Sequence, residues 1–438
     1  MFIGREAELR FLEHYYVGVE SQILVVYGQK GVGKTTLLKH FMRGKKCAYY
    51  HARACSSAEQ RYQWANELIN KGIAIKKYPE YEDILDLQQV RVLVIDEFHH
   101  IIKSDDEFMV KLLNYCKSQS EPVLVVLCTS ASGWVENSMI SKMGSMAAAL
   151  SGWLKVREMQ FKDMRELYPS YSYADSIKIY AALGGIPGLW NSFSEELSAT
   201  DNIVKNIVNR ESRLHEEMTV YMSEELREPA VYNTLLACMA RGCNKLNDIY
   251  AHTGFSRAKI SVYLKNLMEL DLVEKVFSPE TDGYANAMKG IYRISNPYVR
   301  FYFRFLFPNQ SLLDEVSAEE FYSRIIADYY PDFVEEAYRK ICVEQLASKY
   351  SVLGEWVGKT GNIDVVAKDH EENYIVAACS YARKMKYEDY EWLLFQLKQA
   401  KIVPTKILLF GEAGFDENLQ KEALKGTVKL LRGEVLNG

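Results

Sequence analysis

The stretch Gln22-Ile23-Leu24-Val25-Val26-Tyr27, followed at once by GQKGVGKTT at residues 28–36, constrains the chain more than any other. An apolar run of β type empties into a glycine-rich turn and then into a segment, residues 35–43, of helical character. That order is the context in which G-x-x-x-x-G-K-[ST] folds as a phosphate-binding loop. Gly28, Gly31 and Gly33 let the backbone aim N–H groups at a phosphate with no Cβ in the way, and Gln29, Lys30 and Val32 fill the loop between them. The helix that follows adds the positive end of its dipole. Lys34 is placed to reach the β- and γ-phosphates, Thr35 to ligate Mg²⁺, and Thr36 to donate to the α-phosphate. The plainer alternative, a glycine turn beside a surface lysine, does not account for the strand that leads into it.

A second run, Arg91-Val92-Leu93-Val94-Ile95, ends in Asp96-Glu97. Ligands of parallel α/β sheets gather at the carboxyl ends of strands, so this pair should face the loop. Asp96 is expected to hold Mg²⁺ through water. Glu97 is expected to orient and polarise the attacking water, with Lys34 as its catalytic partner, because phosphoryl transfer needs positioning and charge stabilisation more than covalent chemistry. Adjacent acids after a strand are otherwise a helix-cap pair; the Lys34 loop upstream selects the catalytic reading. A third run, residues 123–128, ends in Thr129-Ser130, where a polar sensor of the γ-phosphate belongs. The expected fold is α/β with a parallel sheet core and one strand inserted between the nucleotide strands. The expected activity is Mg²⁺-dependent ATP hydrolysis, with ATP/ADP and Mg²⁺ as cofactors.

The chain has 438 residues, room for roughly two to four domains. With 48% hydrophobic and 25% charged residues it has the composition of an ordinary globular protein. There is no charged-then-apolar leader and no apolar run near about 18 residues, so a cytoplasmic protein without membrane contact is expected. Cysteines 47, 55, 116, 128, 238, 243, 342 and 379 show no C-x-x-C pair and no zinc spacing, and read as free, mostly buried thiols. A net charge of −5 disfavours non-specific DNA binding and leaves a local basic face open.

Ahead of the loop, FIGREAELRFLEHYY sets Leu9, Leu12 and Tyr16 on one helical face. Gly4-Arg5-Glu6 resembles the N-terminal box of the AAA+ and STAND ATPases, which lies beside the adenine and makes Arg5 a nucleotide-binding candidate. A capped amphipathic helix explains the same residues. Residues 45–52 read as the second strand, 56–71 as a serine-capped helix and 79–89 as a short helix. His99-His100 form either an ordinary turn or a polar link between nucleotide state and a neighbouring domain. Residues 153–160 read as the last core strand, and FKDMREL as the passage into a helical lid. Relatives often carry an arginine before that strand; here Leu150-Ser151-Gly152-Trp153 stand there, and Arg157 is the nearest candidate finger. After a helix at 172–183, Gly184-Gly185-Ile186-Pro187-Gly188 is similar to the STAND G-x-P element, whose proline packs on the nucleotide. A Gly-Gly cap followed by Pro at a helix start gives the same residues for structural reasons.

Residues 228–241, 245–252 and 256–270 form a three-helix pattern, with Val262, Leu264 and Leu267 as the apolar face of the last. LVEKVFS…GIYRIS then reads as a hairpin wing, which makes a winged helix-turn-helix. Its recognition helix would present Arg257, Lys259, Ser261 and Lys265 to DNA. That is a thin basic set beside Glu269 and Asp271, and in ATPases of this kind such modules frequently act as clamps or protein contacts. IYRISNPYVRFYFRFLFPN (291–309) resembles the signature opening the C-terminal domain of a P-loop ATPase family widespread in archaea and also found in bacteria; a buried connector helix would carry the same rings. A helix at Phe333, a strand at 361–369 with Asp364, and a strand at 373–384 follow the layout of the PD-(D/E)xK nuclease fold. Here Ala378 stands for the metal-binding acid and Ser380 for the lysine. Asp364 with Glu336 cannot assemble the usual site even if Lys384 reaches back, so a retained fold without cleavage is expected.

The resemblance to this archaeal-type P-loop ATPase family, STAND- and AAA+-like, covers essentially the whole chain. It implies an ATPase core at 1–163, a helical lid at 164–221, the winged helix at 222–300 and a small PD-(D/E)xK-like α/β domain at 301–438. It further implies a STAND-type switch in which ATP binding and hydrolysis control domain arrangement, contact with a protein partner and a nucleotide-dependent oligomer. The competing class is a DNA-binding defence or regulatory protein with a residual nuclease-like domain. A third is a nucleotide-binding scaffold with negligible turnover.

Overall fold

Apolar runs too continuous to alternate need cover on both faces, and the chain gives them that cover in a parallel sheet. The computed structural model describes residues 2–217, 228–279 and 290–433; the expected boundary at 221/222 and most of the hairpin loop lie outside the described residues. The chain divides into two units. The first is Met1–Met159 with Ile186–Gly188 and Glu269–Asp271; the second is Gln160–Gly185, Leu189–Met268 and Leu272–Gly438.

In the first unit, β1 (Gln22–Tyr27), β2 (Cys47–His51), β3 (Val92–Asp96), β4 (Leu124–Thr129) and β5 (Gly152–Lys155) stand in the order β2-β3-β4-β1-β5. Every pairing is parallel, and β4 is the inserted strand between β1 and β3. The register sets Tyr27 beside Thr129 and Asp96 beside both His51 and Cys128, so one edge collects the carboxyl ends. All positions of β3 and β4 are buried. Their alternate residues Leu93, Ile95, Val125 and Leu127 share a cluster with Ile23, Val25, Trp64, Tyr81, Phe98 and Phe108. Tyr50 stacks on Trp64 at 4.2 Å between ring centroids. Each buried aliphatic side chain contributes about 1.5–3 kcal/mol. Truncating Leu127 to Ala would cost about 2–5 kcal/mol, cavity included.

The last strand is shorter than the expected 153–160. Its partner β1 ends at Tyr27, where the chain turns into the glycine loop, so β5 has one further bond to make, Val156 N–H to Tyr27 O at 2.7 Å, and then leaves the sheet.

In the second unit, helices Phe161–Leu167 and Tyr173–Leu183 come first, the latter capped by Ser172 Oγ accepting from Asp175 N at 3.0 Å. Helices Pro229–Ala240, Leu246–Thr253 and Arg257–Glu269 follow, with an antiparallel pair of β6 (Val273–Val276) and β7 (Ile291–Ile294). The buried stripe of the third helix is Ile260, Leu264 and Leu267, and Val262 is 57% exposed. A residue two positions from Leu264 lies on the opposite side of a helix, which corrects the expected face.

The aromatic segment splits likewise. Residues 291–294 go to the hairpin, Asn296 Oδ1 accepts from Val299 N at 3.0 Å, and helix runs from 297 to 309. Phe301, Phe303 and Phe305 are fully buried, and Phe305 meets Phe333 of helix Tyr330–Ala347 at 5.2 Å. A separate mixed sheet closes the chain in the order β12-β11-β10-β9-β8. It comprises β8 (Ser351–Val357), β9 (Asn362–Lys368), β10 (Tyr374–Ser380), β11 (Pro404–Gly411) and β12 (Lys429–Leu431). β10, β11 and β12 run parallel, whereas β8, β9 and β10 pair antiparallel. β10 stops at Ser380, short of the expected 384, because its neighbour β11 ends opposite at Gly411 and the Ser380 hydroxyl closes a turn onto Arg383 O at 3.0 Å.

Candidate functional site

At the carboxyl end of β1, Gly28 and Gly31 stand where a side chain has little room. A Cβ at Gly28 would sit 2.2 Å from Val156 O, and one at Gly31 would meet Ile186 Cγ2 at 3.0 Å. Gly31 and Gly33 have φ of +86° and +98°, the left-handed region that glycine enters without strain. Gly33 precedes helix Lys34–Phe41, whose unpaired N–H groups and dipole favour an anion there. The Lys34 side chain is buried and donates to Gly28 O at 2.8 Å and Gln29 O at 3.0 Å, which holds the ammonium across the loop. Val32 is buried, whereas Lys30 and Thr36 are exposed.

Thr35 Oγ1 donates to Asp96 Oδ2 at 2.8 Å. Those two hard oxygens are the donor type that suits Mg²⁺. Asp96 is 2% exposed, and its charge is met by Tyr49 OH at 2.8 Å, by His51 Nδ1 at 3.8 Å and by Glu97 N at 3.0 Å. Burial, and then the bond to Asp96, push the Tyr49 phenol well above its ordinary range, so it stays a donor. Tyr49 and His51 were not picked out from sequence. The signal was available in the period-two alternation of Cys47-Ala48-Tyr49-Tyr50-His51, but it needed to be known that β2 pairs with β3.

Glu97 has φ of +52°, a conformation that costs a non-glycine residue energy and clusters at functional sites. The turn aims its carboxylate at the end of β4. Glu97 Oε2 accepts from Ser130 N (2.9 Å), Ser130 Oγ (3.0 Å) and Thr129 Oγ1 (3.2 Å), with His99 Nδ1 at 3.3 Å. Burial alone would raise its pKa; the His99 and Ser130 contacts prevail and hold it at about 2. Thr129 and Ser130 thus hold the candidate catalytic carboxylate. His99 is drawn into the same network, with Nδ1 2.7 Å from Thr129 Oγ1, rather than lying in an idle turn. Burial, and then His99, lower the His100 pKa to about 4.

Arg5 is buried and spends its guanidinium on main chain, donating to Val32 O and Arg157 O at 2.8 Å each and to Glu8 Oε1 at 2.8 Å. It braces the loop from behind. Arg157 itself is exposed. Pro187 belongs to a segment whose next residue, Gly188, donates N–H to Gly31 O at 3.0 Å. Gln29 Nε2 donates to Asp271 O at 2.9 Å, and the Asp271 carboxylate meets Lys155 at 2.9 Å.

Other expected sites are differently engaged. Arg257 bonds Asn247 Oδ1 (3.2 Å) and lies 4.3 Å over Tyr250, and Lys259 lies over Phe255 and Tyr263. Asp364 accepts from Cys379 N at 2.8 Å and faces Arg339 at 2.8 Å. Glu336, expected beside Asp364, instead pairs with Arg300; its neighbour Glu335 turns to the end of β10 and accepts from Tyr381 N and Ala382 N. A cavity of about 1020 Å³ in the second unit, lined by Phe161, Tyr173, Glu344 and Leu408 among others, has no glycine cradle and no carboxylate pair of this kind.

A family described as an ATPase domain predominantly from Archaea matches residues 2–193, and one described as archaeal and bacterial proteins of unknown function matches 302–391. An uncharacterized protein of Methanocaldococcus jannaschii is 27% identical over 380 residues, 84% of each chain. An uncharacterized ATP-binding protein of the same organism is 41% identical over 46 residues, 10% of this chain and 78% of that one. The Walker-type ATPase of Pyrococcus abyssi superposes with a TM-score of 0.51 at 15% identity, covering 69% of this chain and 96% of that chain, a likeness of fold. Residues 2–193 thus match an ATPase domain family and residues 302–391 a second family of unknown function, in a chain that shares the fold of a Walker-type ATPase.

Proposed function

We propose that this ATPase is a Mg²⁺-dependent nucleotide switch, in which Lys34, Thr35 and Asp96 hold the nucleotide and metal and Glu97 activates water. The observation that carries it is the convergence of the buried Lys34, the Thr35–Asp96 contact and the strained Glu97 at neighbouring strand ends. Bound Mg²⁺ supplies charge neutralisation for the transferring phosphoryl group. The chain's own part is to fix phosphate oxygens with loop N–H groups, bring Lys34 to the outer phosphates and hold a carboxylate that stays ionised at neutral pH. Thr129 and Ser130 act as the sensor by releasing Glu97 when they turn toward a γ-phosphate. A full-length Lys34→Ala variant should lose nucleotide affinity, while Glu97→Gln should bind ATP and not cleave it.

Support for the switch comes from two short segments, 186–188 and 269–271, which the chain sends into the first unit between stretches of the second. Each touches the phosphate loop directly, through Gly188 to Gly31 and Gln29 to Asp271. Nucleotide-dependent movement of the loop would be felt there, and the output is contact with a protein partner. The three helices and the β6–β7 hairpin act as a winged helix in this scheme. The C-terminal sheet contributes a fold without cleavage, since Arg339 occupies Asp364 and Ala378 and Ser380 replace the acid and lysine.

A further inference from the structure

Helix Pro229–Ala240 carries Cys238 in its last turn. The helix closes when Gly242 N bonds Met239 O (2.9 Å) and Cys243 N bonds Cys238 O (3.2 Å), with Gly242 at φ +99° turning the chain. That closure folds Cys243 back over Cys238. His252 lies in the last turn of the neighbouring helix Leu246–Thr253. The two Sγ atoms and a ring nitrogen of His252 all lie within 4.8 Å of one another. Among the described residues this is the one such group of three.

We propose that Cys238, Cys243 and His252 form a binding site for one zinc-type divalent cation, distinct from the Mg²⁺ of the nucleotide loop. Two sulfurs and an imidazole suit Zn²⁺ and exclude Mg²⁺ and Ca²⁺, which take oxygen. In a tetrahedral site with bonds of about 2.3 Å to sulfur and about 2.0 Å to nitrogen, the ligand atoms stand roughly 3.6–3.8 Å apart. Side-chain rotation closes the remaining distance without moving either helix. The four residues between Cys238 and Cys243 lie within the spacing such pairs use, a signal that a search for C-x-x-C passes over.

Cys238 is buried, Cys243 half-buried and His252 exposed, so the cation enters from the His252 side and water completes its shell. Arg241 donates to His252 Nε2 at 2.9 Å; it is itself exposed and can swing into solvent. Bound metal would tie the ends of the first two helices together. Its role is structural, and the first unit's ATPase chemistry does not depend on it.

The test uses reduced, chelator-stripped full-length protein without nucleotide, titrated with Co²⁺ and then Zn²⁺. One equivalent of Co²⁺ should give thiolate charge-transfer and tetrahedral ligand-field bands, displaced by one equivalent of Zn²⁺. Cys243→Ser and His252→Ala should each weaken zinc binding at least about tenfold. The exposed His252 makes the second variant a safe one for folding, and its ATP turnover should equal wild type. Cys55→Ser and Cys342→Ser should bind as wild type does. Wild-type zinc affinity in both the His252 and Cys243 variants, cobalt spectra without thiolate bands, loss of binding in Cys342→Ser, or a Cys238–Cys243 disulfide in the reduced preparation would each overturn the proposal.

Discussion

Gly188→Ala separates a real contact with the phosphate loop from a mere helix start. Gly188 sits in the first turn of helix Pro187–Trp190, where alanine is the better helix former by about 1 kcal/mol. Considered locally, the substitution should stabilise. A Cβ there, however, would lie 2.8 Å from Gly31 Cα and 3.0 Å from Gly31 O, both backbone atoms that cannot rotate away. Relief requires the segment or the loop to move, which costs about 1–3 kcal/mol and strains or breaks the 3.0 Å Gly188–Gly31 bond, worth about 1 kcal/mol. Net of the helix gain, about 1–3 kcal/mol remains. Without ligand the loop can retreat and avoid much of this; with phosphate on its N–H groups it cannot, so the cost falls on binding. Titration of the full-length variant with a fluorescent ADP analogue should show a dissociation constant raised about 5- to 150-fold. Unchanged affinity together with an unchanged or raised melting temperature would refute the contact and the coupling built on it.

Thr35→Ala should lower Mg²⁺-dependent phosphate release at least about tenfold and raise the Mg²⁺ concentration needed, with Thr35→Ser restoring both; equal Mg²⁺ titrations of Thr35→Ala and wild type would remove Thr35 from the metal site. With Glu97 held at about 2, its carboxylate is ionised throughout the neutral range, so turnover between pH 5 and 7 should show no step from it. An acid limb near pH 6 that disappears in Glu97→Gln would mean burial wins. A lowered carboxylate pKa stabilises the fold above the unfolded value and loses that stability as pH falls toward 2. His100, lowered to about 4, is neutral at pH 7, and below about pH 6.5 it opposes folding because the unfolded chain takes the proton first; His100→Gln should flatten the thermal-stability profile between pH 6.5 and 4. Supercoiled plasmid should remain intact with Mg²⁺ or Mn²⁺, and nicking abolished by Asp364→Asn would contradict the non-cleaving reading of the C-terminal sheet.

The nucleotide strands were legible because their chemistry is local. A buried run leading into GQKGVGKTT, and another into Asp96-Glu97, specify strand, turn and charge within a dozen residues each. What depends on a neighbour was not. β5 ends where β1 ends, which Trp153 and its neighbours cannot report. Val262 and Leu264 are both apolar, and only helical geometry separates the buried one from the exposed one. β8, β11 and β12 went unread because single short runs carry no record of their partners. Around the site, Asp96 acquires Tyr49 from the adjacent strand, and Glu97 acquires Thr129 and Ser130 through pairings more than 30 residues distant. Glu336 and Glu335 differ by one helical step of about 100°, which sends one to Arg300 and the other to the end of β10.

The most direct test of the account compares wild type and Glu97→Gln for bound nucleotide and for phosphate release under single-turnover conditions with excess Mg²⁺. The carboxamide cannot accept a proton from water, so release should fall by about 10²–10⁴-fold while ATP remains bound at wild-type stoichiometry. Wild-type phosphate release from Glu97→Gln would contradict the assignment of Glu97 and, with it, the reading of this site as the centre that cleaves ATP.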